Sequence, residues 1–336
     1  MTGATGIGSW PGDDFMEAQR LVMGELGAPA EVDGLPYLVE LPSRGPGSDM
    51  VGRAAALLVE LPVDLQPSGW RLTDAPGRDA ERAAALWRND LDDLAEAADG
   101  YRGRLKVQVT GPWTLAASLR LNRGERVVND PGARRDVVAS LAEGVAGLLA
   151  TVQRLVPGAE LVVQLDEPSL PAVLAGRLPR QSGFGRLHPV EADELENGLQ
   201  TVTSAARGAG AGTTAVHCCA KDVPFTVLRR SGAEAVAVDV TVLDAAGWES
   251  VAVTYESGLE LWGGLLPTTA DLPRTSTLVE SLTAAWKRVG LSASGLSSVT
   301  VSPTCGLAGA SPTQARAVLD RTIDTARALA EIAAEG

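Results

Sequence analysis

The sequence predicts a closed (β/α)8 barrel, a TIM barrel of the α/β class. Three observations lead there. Eight short apolar runs bounded by glycine or proline alternate with longer Ala/Leu-rich stretches of helical period. The runs are five to eight residues long and mostly apolar, as in a parallel sheet covered by helices on both faces. Several of them end in reactive side chains, and such barrels keep their sites at the C-terminal ends of the strands. All of the chain, residues 1–336, is expected to form this one domain.

The elements follow in order. "GIGSW" (6–10) starts the series, a helical segment spans 13–27, and "LPYLVELP" (35–42) is the second strand. The stretch 78–98 is a helix, with Leu86, Leu91 and Leu94 at helical spacing. "RLKVQVTGP" (104–112) is Val-rich and ends in a Gly-Pro breaker, and "AELVVQLDEP" (159–168) has the same form. Then come "GTTAVHCC" (212–219), "AEAVAVDV" (233–240), "LELWGGLLP" (259–267) and "SSVTVSPTCG" (297–306). Helices are expected at 132–155, 190–208, 221–231, 275–289 and 311–334, the last with Ser311 as N-cap and Pro312 at its first position. The alternative, an open doubly wound sheet, expects a glycine-rich turn after a strand. "GAGAGTT" (208–214) precedes one and reads as a connecting loop.

Charge narrows the function. The formal net charge is −13 and no Lys/Arg run appears, so a nucleic-acid partner is not expected. Three cysteines do not make a disulfide scaffold. The N-terminus lacks the pattern of a signal peptide, no apolar run reaches about 18 residues, and the expected location is cytoplasmic, without membrane contact.

Only five His and Cys residues occur, and three of them are His217, Cys218 and Cys219. A closed barrel would bring Cys219 and Cys305 to one mouth. His, Cys and carboxylate are the usual zinc ligands. On a strand His217 and Cys219 share one face, and Cys218 points to the other as a small apolar side chain. From spacing alone, zinc binding and plain core packing both stay open. His188, in a Gly/Arg/Pro-rich loop, reads as a surface or lid residue. Asp166 and Glu167 face opposite ways on a strand, one toward the pocket and the other toward a structural ion pair. Asp166 with Asp239 could make a carboxylate pair for glycoside hydrolysis, which leaves the cysteines without a role.

"TGIGSWP", "VTGPWTL", "VVQLDEPSL", "HCC" and "SPTCGL", in that order, resemble the catalytic C-terminal barrel of cobalamin-independent methionine synthase. The resemblance runs from about residue 4 to the final helix. It implies methyl transfer to a small-molecule thiol at a zinc ion. His217, Cys219 and Cys305 match its ligands, and Asp239 stands where the family has a glutamate. Ser9 and Asp166 match positions that hold the polar groups of the amino-acid substrate. Trp113, in "GPWT", matches a loop of the methyl donor's pocket. The donor is a folate or, as in related single-barrel proteins, a corrinoid protein.

There are departures from the family pattern. An acidic motif after strand two becomes "SRGPGSDMV", with Arg44 where a carboxylate is expected. Arg44, read as a substrate contact, would repel an ammonium and attract an anion, so the acceptor is expected to differ from free homocysteine unless Asp49 or Asp166 replaces the missing charge. "WGGLLPTTADLP" lacks the family's histidine, and no catalytic proton donor is assigned. Two readings compete with methyl transfer: a degenerate barrel that binds a ligand or partner without turnover, and hydrolysis by a zinc-bound water.

Overall fold

Ten strands form in the computed structural model, which describes residues 1–122, 124–268 and 271–336. They are β1 (Gly3–Thr5), β2 (Asp33–Leu35), β3 (Val63–Gln66), β4 (Gly69–Leu72), β5 (Gly103–Thr110), β6 (Ala159–Asp166), β7 (Thr213–Cys218), β8 (Ala235–Asp239), β9 (Glu260–Leu266) and β10 (Thr300–Pro303). Eight lie in one parallel sheet in the order β2-β1-β10-β9-β8-β7-β6-β5. Its two edges meet where the Leu38 N–H donates to the Lys106 carbonyl at 2.9 Å and the Lys106 N–H donates to the Pro36 carbonyl at 2.8 Å. The sheet is therefore a nearly closed (β/α)8 barrel, as the sequence predicts.

The helices are α1 (Phe15–Leu26), α2 (Met50–Ala55), α3 (Arg78–Ala97), α4 (Pro112–Ser118), α5 (Pro131–Leu155), α6 (Leu170–Leu174), α7 (Ala192–Gly208), α8 (Phe225–Arg229), α9 (Ala245–Glu256), α10 (Thr275–Arg288) and α11 (Pro312–Glu335). Ser311 caps α11 in a capping box with Gln314, and Pro312 sits in its first turn, as expected. Helix α5 is the one described helix long and apolar enough to cross a membrane by composition; a little over half of its most apolar window is buried in the protein. The sequence reading found no such span.

Local chemistry explains where the elements depart from expectation. The first strand stops at Thr5, before "GIGSW", and three residues on Gly8 takes φ +153°. A Cβ there would lie 2.6 Å from the Gln108 side chain, so only glycine fits this approach. The second strand ends at Leu35 because Pro36 has no N–H to continue the ladder; beyond it only the bridges Tyr37–Lys106 and Ser9–Glu40 remain. The hairpin β3–β4 was not foreseen, nor were α2, α4, α6 and α9; its signal is Pro67-Ser68-Gly69, with Gly69 at φ +110°. Helix α8 is shorter than 221–231 because it starts only after Pro224.

The period of two sorts the strand side chains. Val162, Ala215, Ala235, Ala237 and Trp262 meet Leu35 in a small cluster inside the barrel, separate from the main core. Small alanines there make room for the indole. Counting in twos from these positions puts Gln164, Asp166, His217 and Cys219 on the inner face. Cys218 falls on the other face and belongs to the main core between barrel and helices, fully buried.

Candidate active site at the C-terminal mouth

The inward residues at the strand ends line a cavity of about 330 Å³, together with Ile7, Gly8, Ser9, Glu40, Pro42, Asp49, Met50, Pro168 and Gly306. Three backbone hydrogen bonds stitch its rim. Glu40 N–H donates to the Gly8 carbonyl at 3.1 Å, Trp10 N–H to the Glu40 carbonyl at 2.8 Å, and Leu307 N–H to the Ser9 carbonyl at 2.9 Å. Segments far apart in the chain thus share one wall.

Asp166 ends β6 directly opposite His217 on β7. The two are joined by a 2.8 Å contact between His217 Nδ1 and Asp166 Oδ1. His217 is buried, and its Nε2 has no hydrogen-bond partner among the described residues. Nearby, Cys219 Sγ and Cys305 Sγ stand 3.5 Å apart as free thiols. The contact with Cys219 holds the Cys305 thiol down at about 6; the same contact, with burial, pushes Cys219 up.

Two thiolates on one tetrahedral zinc would lie about 3.8 Å apart, from a Zn–S length near 2.3 Å. The sulfur pair fits that spacing, and a buried imidazole nitrogen without a partner fits a third donor. Asp239 does not join them in lining the cavity. Its Oδ1 accepts from Thr241 N at 2.9 Å and Thr241 Oγ1 at 2.6 Å, capping the turn after β8. Among the described residues, no group of three or more His, Cys, Asp or Glu side chains converges as a metal-holding set.

The other expected contacts divide. Ser9 and Asp166 line the cavity; Arg44 does not. Its guanidinium makes a two-pronged ion pair with Asp90, at 2.7 and 2.8 Å, and Asp90 also accepts from Arg53 at 2.5 Å. Trp113 faces away from the mouth. It lies at the start of α4, its Nε1 donates to the Leu195 carbonyl at 2.9 Å, and it lines a separate cavity of about 600 Å³ between α5 and α7. Among the described residues Glu167 makes no ion pair; its carboxylate accepts from Trp113 N at 2.8 Å, and from Thr114 N and Oγ1, both at 2.7 Å. His188 is exposed, as expected. The segment after β9, where the family histidine was sought, includes Thr269 and Ala270, which lie outside the described residues.

Sequence reading missed Glu40 and the polar barrel floor. Glu40 is buried in the cavity wall, and burial pushes its carboxyl up to about 7 against the pull of Arg53. Lys106 is fully buried, and burial brings its amine down to about 7. Its Nζ donates to the carbonyls of Gly6 and Ile7 and to Gln164 Oε1. A lysine and a glutamine inside otherwise apolar strands were the available signal.

The family model for the catalytic domain of cobalamin-independent synthase matches residues 1–328. Among solved structures, the chain is similar to a B12-independent methionine synthase from Shewanella sp. W3-18-1 in complex with selenomethionine. That likeness has 13% identity and a TM-score of 0.59, and covers 98% of this chain and 97% of the other, so it bears on the fold. The carboxyl transferase domain of Rhizobium etli pyruvate carboxylase matches at 12% identity over 98% of this chain and 53% of that one, with a TM-score of 0.29. No curated protein matches. The match of the family model along nearly the whole chain decides the matter: this protein belongs to the cobalamin-independent synthase family, as its catalytic domain.

Proposed function

We propose that the chain is a methyltransferase whose acceptor is a small amino-acid thiol, homocysteine or a close relative, bound at a zinc site formed by His217, Cys219 and Cys305. The observation that carries this reading is one cavity lined by a sulfur pair 3.5 Å apart and by a buried histidine whose Nε2 is unpartnered. When bound, zinc would supply a cation that keeps the acceptor's thiol deprotonated near neutral pH. Asp239 is the candidate fourth ligand only if it leaves Thr241, and a substrate thiol suits that position equally well.

The chain's own residues bind and orient. Asp166 holds His217 by its Nδ1, which directs Nε2 as the free donor. Glu40 and Asp49 place two carboxyl groups in the cavity wall, suited to an ammonium group. With Arg44 neutralised by Asp90, the repulsion expected from sequence has no source in the cavity. Ser9 offers a hydroxyl at the rim for a carboxylate. The methyl donor, a folate or a corrinoid protein, would approach over the same open mouth.

Zinc X-ray absorption with and without homocysteine tests the reading. The expected result is one zinc per chain with two sulfur neighbours, rising to three when the thiol is added. A protein that takes up no zinc, or whose zinc spectrum ignores the thiol, would instead favour a barrel that binds a ligand without turnover.

A further inference from the structure

We infer that Lys106 and Gln164 are positioning residues that fix the tautomer of His217 from the barrel floor. Four side chains form one buried line. Lys106 Nζ donates to Gln164 Oε1 at 2.6 Å, Gln164 Nε2 donates to Asp166 Oδ1 at 2.8 Å, and Asp166 Oδ1 meets His217 Nδ1 at 2.8 Å. All four are buried.

The direction of every bond in this line is dictated. Below about pH 7, where Lys106 is an ammonium, it only donates, so the oxygen of the Gln164 amide must face it. Its NH2 must then face the other way, toward Asp166 and the Ile7 carbonyl, 2.9 Å away. A flipped amide would set donor against donor at Lys106 and acceptor against acceptor at both Asp166 and Ile7. Buried polar groups left in that state cost about 1–3 kcal/mol each. Lys106 is itself anchored, since its three protons meet three acceptors, the carbonyls of Gly6 and Ile7 and the Gln164 oxygen. It also lies 5.3 Å from the Tyr37 ring centre and 5.8 Å from that of Trp262.

The Asp166 oxygen that faces His217 is the one into which Gln164 donates, so it serves as the acceptor and His217 must carry its proton on Nδ1. In that tautomer the imidazole presents a bare Nε2 lone pair, the buried atom that has no partner among the described residues. The residue that starts this line is no ligand and touches no ligand. Its effect reaches His217 through two intermediates.

The chain has only two histidines, His188 and His217, so imidazole nitrogen spectra resolve them directly. The test uses the full chain, 15N-labelled, stripped of metal by chelator, with far-UV circular dichroism as a folding check. In the wild type, His217 should show a protonated Nδ1 and an unprotonated Nε2. Lys106→Met should lower the ratio of that tautomer to the other by at least tenfold. Gln164→Glu, nearly the same shape and able to pair with Lys106, should do the same because it cannot donate to Asp166. It decides the question if Lys106→Met fails to fold. An unchanged tautomer in a folded variant would overturn the inference. Because the metal-stripped spectrum is independent of the proposed zinc chemistry, a parallel zinc titration keeps the two apart. A wild type that binds no zinc defeats the proposed function; an unchanged tautomer defeats only this inference.

Discussion

Cys219 and Cys305 are 86 residues apart in sequence, and their sulfurs stand 3.5 Å apart. The closed sheet makes this possible: Cys219 follows β7, Cys305 follows β10, and both strands deliver their ends to the same mouth. Cys218, one residue from Cys219, is fully buried on the opposite face, where burial pushes its thiol up to about 12. The three thiols should therefore behave differently. In metal-free protein at pH 7, iodoacetamide should label Cys305 first, with Cys218 unmodified until the protein unfolds; peptide mass spectrometry reads the order. Zinc content should fall strongly in Cys305→Ser and stay near wild type in Cys218→Ser. The reverse pattern would mean that the strand is one residue out of phase.

Arg44 and Arg53 share Asp90, which has no exposure to solvent. Arg53 also lies 3.8 Å from the centre of the Trp87 ring and 3.7 Å from Glu40 Oε1. Asp90→Asn would leave two guanidinium groups without their common counter-charge. Breaking a buried pair in this way costs about 3–5 kcal/mol. Urea denaturation should show a loss of that size. Arg44→Ala should cost less, because Arg53 keeps its partner, and should leave the affinity for homocysteine within about twofold of wild type. A large gain in affinity would return Arg44 to the cavity.

How far the sequence disclosed this site depends on how regular each strand is. His217 and Cys219 were legible because β7 runs unbroken to Cys218, so counting in twos puts them on one face; Asp166 came only from the family resemblance, since the count left open which of Asp166 and Glu167 faces inward. Glu40 was not, because Pro36 ends the regular ladder before it and the phase of the run is lost. Trp113 was expected in the methyl donor's pocket because "GPWT" resembles a loop of that pocket in the family. In the structure Pro112 starts a helix at once, and that turn carries the indole outward against α7, where a Cβ on Gly198 would sit 2.4 Å from it. Lys106 and Gln164 were in plain view but were read as ordinary strand positions, since their importance lies in a line of contacts that joins separate strands to the loop after β1. The barrel itself followed from the alternation of elements, and the hairpin β3–β4 did not, because it lies outside that repeat.

Glu40 should give the protein a pH signature. Its carboxyl ionises near 7 in the folded chain, against 4.5 for an ordinary glutamate. The folded state therefore holds this proton more tightly than the unfolded chain does, and between pH 4.5 and 7 it binds more protons. Stability from this group must fall as pH rises through that window and level off above it. Lys106 works in the opposite sense above pH 7, since its amine is brought down to about 7 from 10.5, so its contribution rises from pH 7 toward 10.5. In Glu40→Gln the difference from wild type should show the first slope alone, measured by urea unfolding from pH 5 to 8. The same ionisation should strengthen binding of a cationic thiol as pH rises through 7, and Glu40→Gln should flatten that rise. A variant with the wild-type profile in both measurements would remove Glu40 from the site.

Ser9 and Gly306 close the rim, and their contact can be tested as a pair. A Cβ at Gly306 would lie 2.0 Å from Ser9 Oγ but 3.2 Å from Ser9 Cβ. The backbone at Gly306 is outside the left-handed region, so an alanine there meets no conformational strain and the clash is the whole cost. Gly306→Ala should destabilise by about 1–3 kcal/mol, the usual range for overpacking. Its thiol affinity should also fall, because the shift pushes on the loop that carries Cys305. In a Ser9→Ala background the obstructing oxygen is gone, and the remaining contact is tight but tolerable. The double variant should therefore recover most of the stability lost in Gly306→Ala, a coupling of about 0.5–3 kcal/mol in a double-mutant cycle. Affinity should recover less completely, since the hydroxyl that Ser9 offers the substrate is gone as well. Additive losses in stability would show that the two residues do not touch, and the rim would then have to be closed in some other way.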